Sequence, residues 1–449
     1  MPYEGEYAHY QPLKRIVESE RVQQLLRRSR VLDQSQLPQQ AVPKTPPAAD
    51  AALPSLVLAI DGSHAEVDVR NGYPGAKIGY CSVASVVLNL AEVDRLDASR
   101  PVSPIDFRRT EEPSSDASAL PGCNVITRDH TSAKDSFREA AFELLHDAII
   151  DEEDNTRLLA TYQALLVYKP TSAIACPYTH LRCERDVTIG QNVGTCPCEL
   201  RKSLYPTDAL RIHERFNDDS GSNGEAFGLV MTTWERLLLI HLLRCFEQRS
   251  WLDRLNNIAF FLDGPLAVFG PPAWLSAAMS RELQRLNALV RAQTGNDLII
   301  VGIEKSGNFV AHFEEIDRRE DGSQHFQPGS YFLPTDDYIK QRVIFSDSAK
   351  RYGADTYFGR KFFYKTQSGA RIVANIPFLS AAQDSLSTDD PAAFQKFGTV
   401  CALLDKLVTS RFPNALGPIV SAHAQASIPL HLGQKVLKQL AKALMQERR

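Results

Sequence analysis

Apolar and polar positions divide the chain into a short helix-periodic arm and a longer region of apolar runs alternating with amphipathic segments. Leu13, Ile16, Val17, Val22, Leu25 and Leu26 recur at helical spacing among mixed charges, which predicts helix over residues 10–32. Gln34 to Asp50, rich in Gln, Pro and Ala, reads as a linker, so residues 1–50 form an arm that packs on something else, such as a partner subunit. From Leu53 the texture changes. Leu56 to Ile60 is a continuous apolar run ended by Asp61-Gly62, as in a buried strand, and Ala65 to Val69 alternates in strand fashion. Asn71-Gly72 and Pro74-Gly75 mark a turn before Lys77 to Leu90 resumes the extended pattern. A meander of two or three antiparallel strands follows, with Asp61 on its first member.

Residues 97–135 are polar and rich in Ser and Pro, and predict a loop-rich insertion. Phe137, Ala141, Leu144, Leu145 and Ala148 place a helix over Ser136 to Tyr168. Beyond a cysteine-rich stretch and a polar run at Asp218 to Gly224 the pattern becomes regular. Met231 to Gln248 and Trp274 to Thr294 are helical, Ile258 to Leu262 and Asp297 to Ile303 are apolar strands, and Ile372 to Phe378 is a late strand. Phe394 to Thr409 and Leu432 to Gln446 are further helices. Strands and helices in alternation predict an α/β fold with a covered sheet. The expected organisation is an arm and linker over 1–50, one domain over 51–430 carrying an insertion at about 97–225, and a C-terminal helix over 431–449.

Composition changes this picture little. Of 449 residues, 43% are apolar and 23% charged, which excludes a disordered chain. No run approaches the roughly 20 apolar residues of a membrane span, and no signal segment opens the sequence, so the cytoplasm is the expected compartment. A net charge of -4 excludes a uniformly basic nucleic-acid-binding surface. Locally, Lys340, Arg342, Lys350, Arg351, Arg360, Lys361, Lys365 and Arg371 face only Asp347 and Asp355, with Tyr357, Phe358 and Tyr364 interleaved. Such a run is either a solvated face or a groove that tracks phosphates and stacks bases.

The candidate chemistry lies in two apolar strands that end in Asp-Gly, at Ile60-Asp61-Gly62 and Leu262-Asp263-Gly264. Asp-Gly is ordinary turn chemistry, but two on neighbouring strands place two carboxylates in one pocket. Glu235 shares a helical stripe with Leu239, Leu242 and Phe246. It is either a first-turn acid behind a Thr232 or Thr233 cap or a buried carboxylate that needs a cation. Three converging acids form a hard-oxygen site suited to Mg²⁺ or Mn²⁺, and an ion explains their coexistence.

Ile60-Asp61-Gly62-Ser63, the helix with Glu235, Phe261-Leu262-Asp263-Gly264-Pro265-Leu266 and Ser421-Ala422-His423 together resemble the NurA nucleases in identity and order. The resemblance runs from Leu53 to the C-terminus, interrupted near 97–225. It implies a ribonuclease-H-like mixed sheet flanked by helices and manganese-dependent hydrolysis of DNA. It also implies a homodimer and work with a hexameric HerA-type ATPase, in DNA end processing or defence against foreign DNA. Asp61, Glu235 and Asp263 match the family's metal-binding acids and His423 its late histidine. Glu235 to Asp263 is a longer interval than the family pattern, which makes Glu247 a competing ligand. Phe412 stands where a tyrosine is expected, which puts a hydroxyl role there in doubt. Lys305, after an apolar strand, and Arg360, Lys361 and Lys365 are the candidates for contact with DNA phosphates.

Four of the eight cysteines, Cys176, Cys183, Cys196 and Cys198, cluster on loops punctuated by Pro177, Gly190, Gly194 and Pro197. They suit a structural tetrahedral Zn²⁺, with His180 able to replace one thiolate, or else remain reduced and unligated. Two rival functions complete the picture. An actin-like phosphotransferase also opens with an Asp-Gly strand end but needs glycine-rich nucleotide loops, which are not found. A catalytically silent scaffold would hold DNA for the ATPase. No Walker-type loop is present, so movement along DNA draws its energy from another chain.

Overall fold

A computed structural model of the chain describes residues 10–29, 40–50, 52–70, 75–93, 95, 111–151, 156–169, 173–178, 183–199, 201–219, 221–319, 321–380, 389–409, 414–428 and 432–446. The turn residues 71–74, His180 and Phe412, singled out in the sequence, lie outside them. Two compact units are distinguished, residues 1–40 and 41–449. Within the first, two helices form where the periodicity placed them, α1 (Tyr10–Glu18) and α2 (Glu20–Arg28).

Eight strands of the second unit form one mixed sheet: β1 (Leu56–Arg70), β2 (Ala76–Asn89) and β3 (Glu111–Pro121), then β10 (Ile258–Asp263), β11 (Ile299–Glu304), β12 (Ser330–Phe332), β13 (Gly359–Lys365) and β14 (Arg371–Pro377). Four short pairs of strands, numbered below where they matter, fall outside it. The order is β12-β13-β14-β11-β10-β1-β2-β3. β3, β2 and β1 run antiparallel, and β10 and β11 then lie parallel to β1. Three antiparallel strands followed by two parallel ones is the ribonuclease-H-like arrangement.

The parallel strands are continuous apolar runs because both faces are covered. Leu58, Ile60, Phe260, Leu262 and Ile300 pack against α3 (Ala133–Asp147), α4 (Leu158–Leu166), α5 (Gly224–Gln248) and α6 (Trp274–Thr294). Val57, Ala59, Ala259, Phe261, Val301 and Ile303 face the other way, onto α9 (Phe397–Leu407) and α10 (Gly417–Ala426). A third core joins Phe363 and Val373 to α7 (Asn308–Asp317) and α8 (Asp336–Arg342). The chain closes with α11 (Leu432–Gln446).

Three expectations need correction. The segment read as loop-rich holds β3, an edge strand of the main sheet. Its largely exposed, Pro-containing sequence hides the pattern, because an edge strand facing solvent needs neither apolar alternation nor every ladder bond. The single helix expected over Ser136 to Tyr168 is two helices, α3 and α4, separated by the hairpin β4 (Ile149–Asp151) and β5 (Thr156–Arg157). Helix α5 begins at Gly224 rather than Met231, so Glu235 is well inside it and not in its first turn. This helix is long and apolar enough to cross a membrane, but 72% of its apolar window is buried in the protein, as befits a core helix.

Candidate metal centre

Side-chain alternation decides which groups meet. Asp61 continues the row of Val57 and Ala59, and Asp263 that of Ala259 and Phe261, so both carboxylates point to the face covered by α10. The last pair in the β1–β10 ladder is Ile60 with Leu262. Beyond it β10 stops, while β1 runs on to Arg70 paired with β2. Asp61 is therefore inside a strand, not at its end as the sequence suggested. The gap that β10 leaves beside β1 is where the acids converge.

His423 reaches this gap from α10, its Nδ1 2.8 Å from Asp61 Oδ2. One ligand atom each from Asp61, Asp263 and His423 lie within 4.8 Å of one another. The Lys305 ammonium, just past β11, is 3.0 Å from Asp263 Oδ2. Burial together with the Asp263 charge pushes the Asp61 carboxyl up to about 6, against the pull of Lys305 and His423. Two carboxylates this close, one of them buried, favour a cation between them, a charge that Lys305 supplies only at Asp263.

Glu235 arrives from the opposite face. Gly62, one step along from Asp61, points to α5, and a Cβ there would sit 2.7 Å from Glu235 Oε1 and 2.9 Å from Met231 Cγ. The absent side chain is what admits the acid. Burial, opposed by Arg236 and reinforced by the charges of Asp61 and Asp263, pushes Glu235 up to about 8. It stands beside the Asp61–Asp263–His423 group rather than within it. Replacement of Gly62 by alanine forces both Glu235 and Met231 to shift in a buried site, at a cost on the order of 1–3 kcal/mol. Affinity for an ion held beside Glu235 then falls by roughly 10–100-fold, the usual effect of disturbing groups that support metal ligands, and Tm falls with it. Parallel metal-titration and melting measurements on Gly62→Ala check this.

Arg236 escaped the sequence reading. It pairs with Glu235 while its Nη2 donates to the backbone oxygens of Asp263 and Pro265, each at 3.1 Å. Gly264, at φ +80°, makes room for that guanidinium, since a Cβ would lie 3.2 Å from Nη2. The glycine of each Asp-Gly pair thus serves the same helix. The only signal in the sequence is a Glu-Arg pair set directly before the apolar run Leu237 to Ile240.

Other candidates lie elsewhere. Glu247 is about 18 Å further along α5, at 1.5 Å per residue, and is held bidentately by Arg285 at 2.6 and 2.7 Å. Arg360, Lys361 and Lys365 belong to β13, every residue of which is buried. Lys365 is clasped by Asp317, Gln324 and the Phe326 carbonyl, Lys361 pairs with Glu304, and Arg360 donates to the Pro334 carbonyl. The expected phosphate-gripping face is instead a set of internal ion pairs and hydrogen bonds. Only Lys305 of the four stands at the site. Cys176, Cys183 and Cys196 come together in the insertion, with Cys198 beside them.

A family model for the NurA domain matches residues 55–428. The chain belongs to the NurA family. Nuclease is the class of activity that this membership supports. Similar solved structures include the NurA nuclease of Sulfolobus solfataricus, 10% identical with a TM-score of 0.33 over 98% of this chain and 97% of that one. Another NurA crystal structure is 12% identical, with a TM-score of 0.30 over 97% and 98%. No curated protein matches. In this NurA-family chain the matched region contains both Asp-Gly pairs, Glu235, Arg236, Lys305 and His423.

Proposed function

We propose that the chain is a Mn²⁺- or Mg²⁺-dependent deoxyribonuclease that hydrolyses phosphodiesters at the end of β10. The observation that carries this reading is the convergence of Asp61, Asp263 and His423 within 4.8 Å, with the buried Glu235 adjoining. The donor set fits the group: oxygen-rich, with acids whose pKa values are raised first by burial and then by one another's charge. Asp61, Asp263 and His423 would hold the ion, and Glu235 would add its charge from behind Gly62. Such an ion, when bound, polarises the phosphoryl group and lowers the pKa of attacking water.

The protein's own groups do the rest. Arg236 holds Glu235 and the Asp263 backbone in one unit, so the acids from α5 and β10 keep a fixed separation. His423, with 55% of its side chain exposed against 3% for Asp61, is the ligand through which the site opens to solvent. Lys305 neutralises Asp263 and is placed to turn to a substrate phosphate once another cation balances that acid.

DNA is the proposed substrate, and a HerA-type hexameric ATPase and a second copy of the chain are the proposed partners. Exposed apolar residues support association: Leu13, Ile16 and Val17 on α1, and Val436, Leu440 and Leu444 on α11. None of the eight cysteines is in a disulfide, which suits the reducing cytoplasm. Purified chain incubated with linear single- and double-stranded DNA is expected to cleave it with Mn²⁺ or Mg²⁺ and to stop with a chelator. Absence of cleavage with either ion, alone or with the ATPase, would favour a DNA-holding scaffold. ATP hydrolysis by the isolated chain would favour a phosphotransferase.

A further inference from the structure

Two small hairpins of the insertion each carry a pair of thiols. The first, β6 (Ala173–Ala175) with β7 (Asp186–Thr188), bears Cys176 and Cys183 in its loop. The second, β8 (Gly194–Thr195) with β9 (Ser203–Leu204), bears Cys196 and Cys198. Strands of two or three residues in two-stranded pairs are too short to hold themselves together. Yet Cys176, Cys183 and Cys196 are buried with their sulfurs in contact, Cys176 Sγ 3.5 Å and Cys183 Sγ 3.8 Å from Cys196 Sγ. These separations are far beyond the roughly 2.05 Å of a disulfide. They approximate the edge of a sulfur tetrahedron around zinc, about 3.8 Å for Zn–S bonds of about 2.3 Å.

The geometry points to a structural Zn²⁺ bound by Cys176, Cys183, Cys196 and Cys198, distinct from the carboxylate centre and independent of the nuclease reading. Cys198, partly buried, packs against the same cluster and interacts with the Cys183 and Cys196 thiols, which puts it next in line as the fourth ligand. Soft thiolates select zinc, whereas the acids on β1 and β10 select a harder ion. Arg185, donating to the Pro197 carbonyl between the last two cysteines, brings positive charge to a centre that four thiolates leave negative.

The ion would fasten both hairpins to the helical face of the domain. Tyr178, between the first two cysteines, lies under the Arg138 guanidinium of α3 at 4.3 Å and donates to the Ser203 carbonyl of the second hairpin at 2.9 Å. Arg138 in turn holds Asp208 at 2.7 and 2.8 Å. One bound ion thus closes a loop of contacts from both hairpins to α3.

The test is metal content and thiol reactivity of the full-length protein, purified without added metal. About one zinc per chain is expected, released in step with modification of four thiols by a mercurial reagent. Co²⁺ exchanged for it should give the intense thiolate charge-transfer bands of a tetrahedral site. Cys196→Ser and Cys198→Ser should each lose at least half of the zinc, while Cys245→Ser and Asp61→Ala retain it. Less than half an equivalent of zinc with all four thiols freely titratable in the native protein, or a mass showing a Cys176–Cys196 disulfide, would overturn the assignment. Undiminished zinc in Cys198→Ser would overturn the four-thiolate set. Because Asp61→Ala keeps the zinc, failure of either reading leaves the other standing.

Discussion

On the proposed reading, Asp61→Ala and Asp263→Ala are each expected to lower metal-dependent DNA cleavage by about 10²–10³-fold, the scale on which removing one electrostatic stabiliser acts. The loss is confined to chemistry, because neither carboxylate supports the core. Asp61 is buried beside another acid, and desolvation with like charge already drives its pKa to about 6. Asp263 is engaged with Lys305 at the surface of the gap. Circular dichroism and Tm should therefore match the parent, or exceed it for Asp61→Ala, while cleavage disappears. A fall in Tm large enough to unfold the variant at assay temperature would show that Asp61 is structural.

Glu235→Gln has a double signature. Glutamine keeps an acceptor for Arg236 and mimics the protonated acid, so the metal-free protein gains stability at pH 8 on the order of 1–3 kcal/mol, while cleavage falls about 10²-fold or more. The sign follows from the direction of the shifts. Asp61 at about 6 and Glu235 at about 8 both lie above their ordinary carboxylate values, so the folded state binds more protons than the unfolded one between about pH 4 and 8. Metal-free stability is then greatest at the acid end of that window and declines as pH rises through it. Metal affinity moves oppositely, since ions compete with those protons. The parent should lose Tm from pH 5 to 8 without metal and recover it with Mn²⁺. A flat pH profile in the parent, or one unchanged in Glu235→Gln, would contradict the assignment.

How much of this was legible without coordinates depends on whether a residue's environment is local. The apolar runs before Asp61 and Asp263 are local, and they correctly marked β1 and β10 as buried neighbours. The meaning of the glycines was not legible, because it depends on a helix that crosses them from far along the chain. Glu235 was ambiguous for a similar reason: the start of α5 at Gly224 is masked by a Gly/Ser-rich approach, and only that start separates a capped first turn from a buried acid. The basic run misled because charge density in sequence does not reveal whether each cation has an internal partner. Asp317 for Lys365 and Glu304 for Lys361 come from other elements. His423 was recognisable only through the family pattern, since α10 opens on Gly417-Pro418 and has little amphipathic contrast to announce it.

The central claim is that acids from β1 and β10 and the histidine of α10 share a divalent ion. Crystals grown or soaked with Mn²⁺ test it through the anomalous difference density of manganese. A peak is predicted within bonding distance of Asp61 and Asp263, vanishing in Asp61→Ala. Manganese bound elsewhere, or the two carboxylates left without an ion at saturating Mn²⁺, would contradict the account.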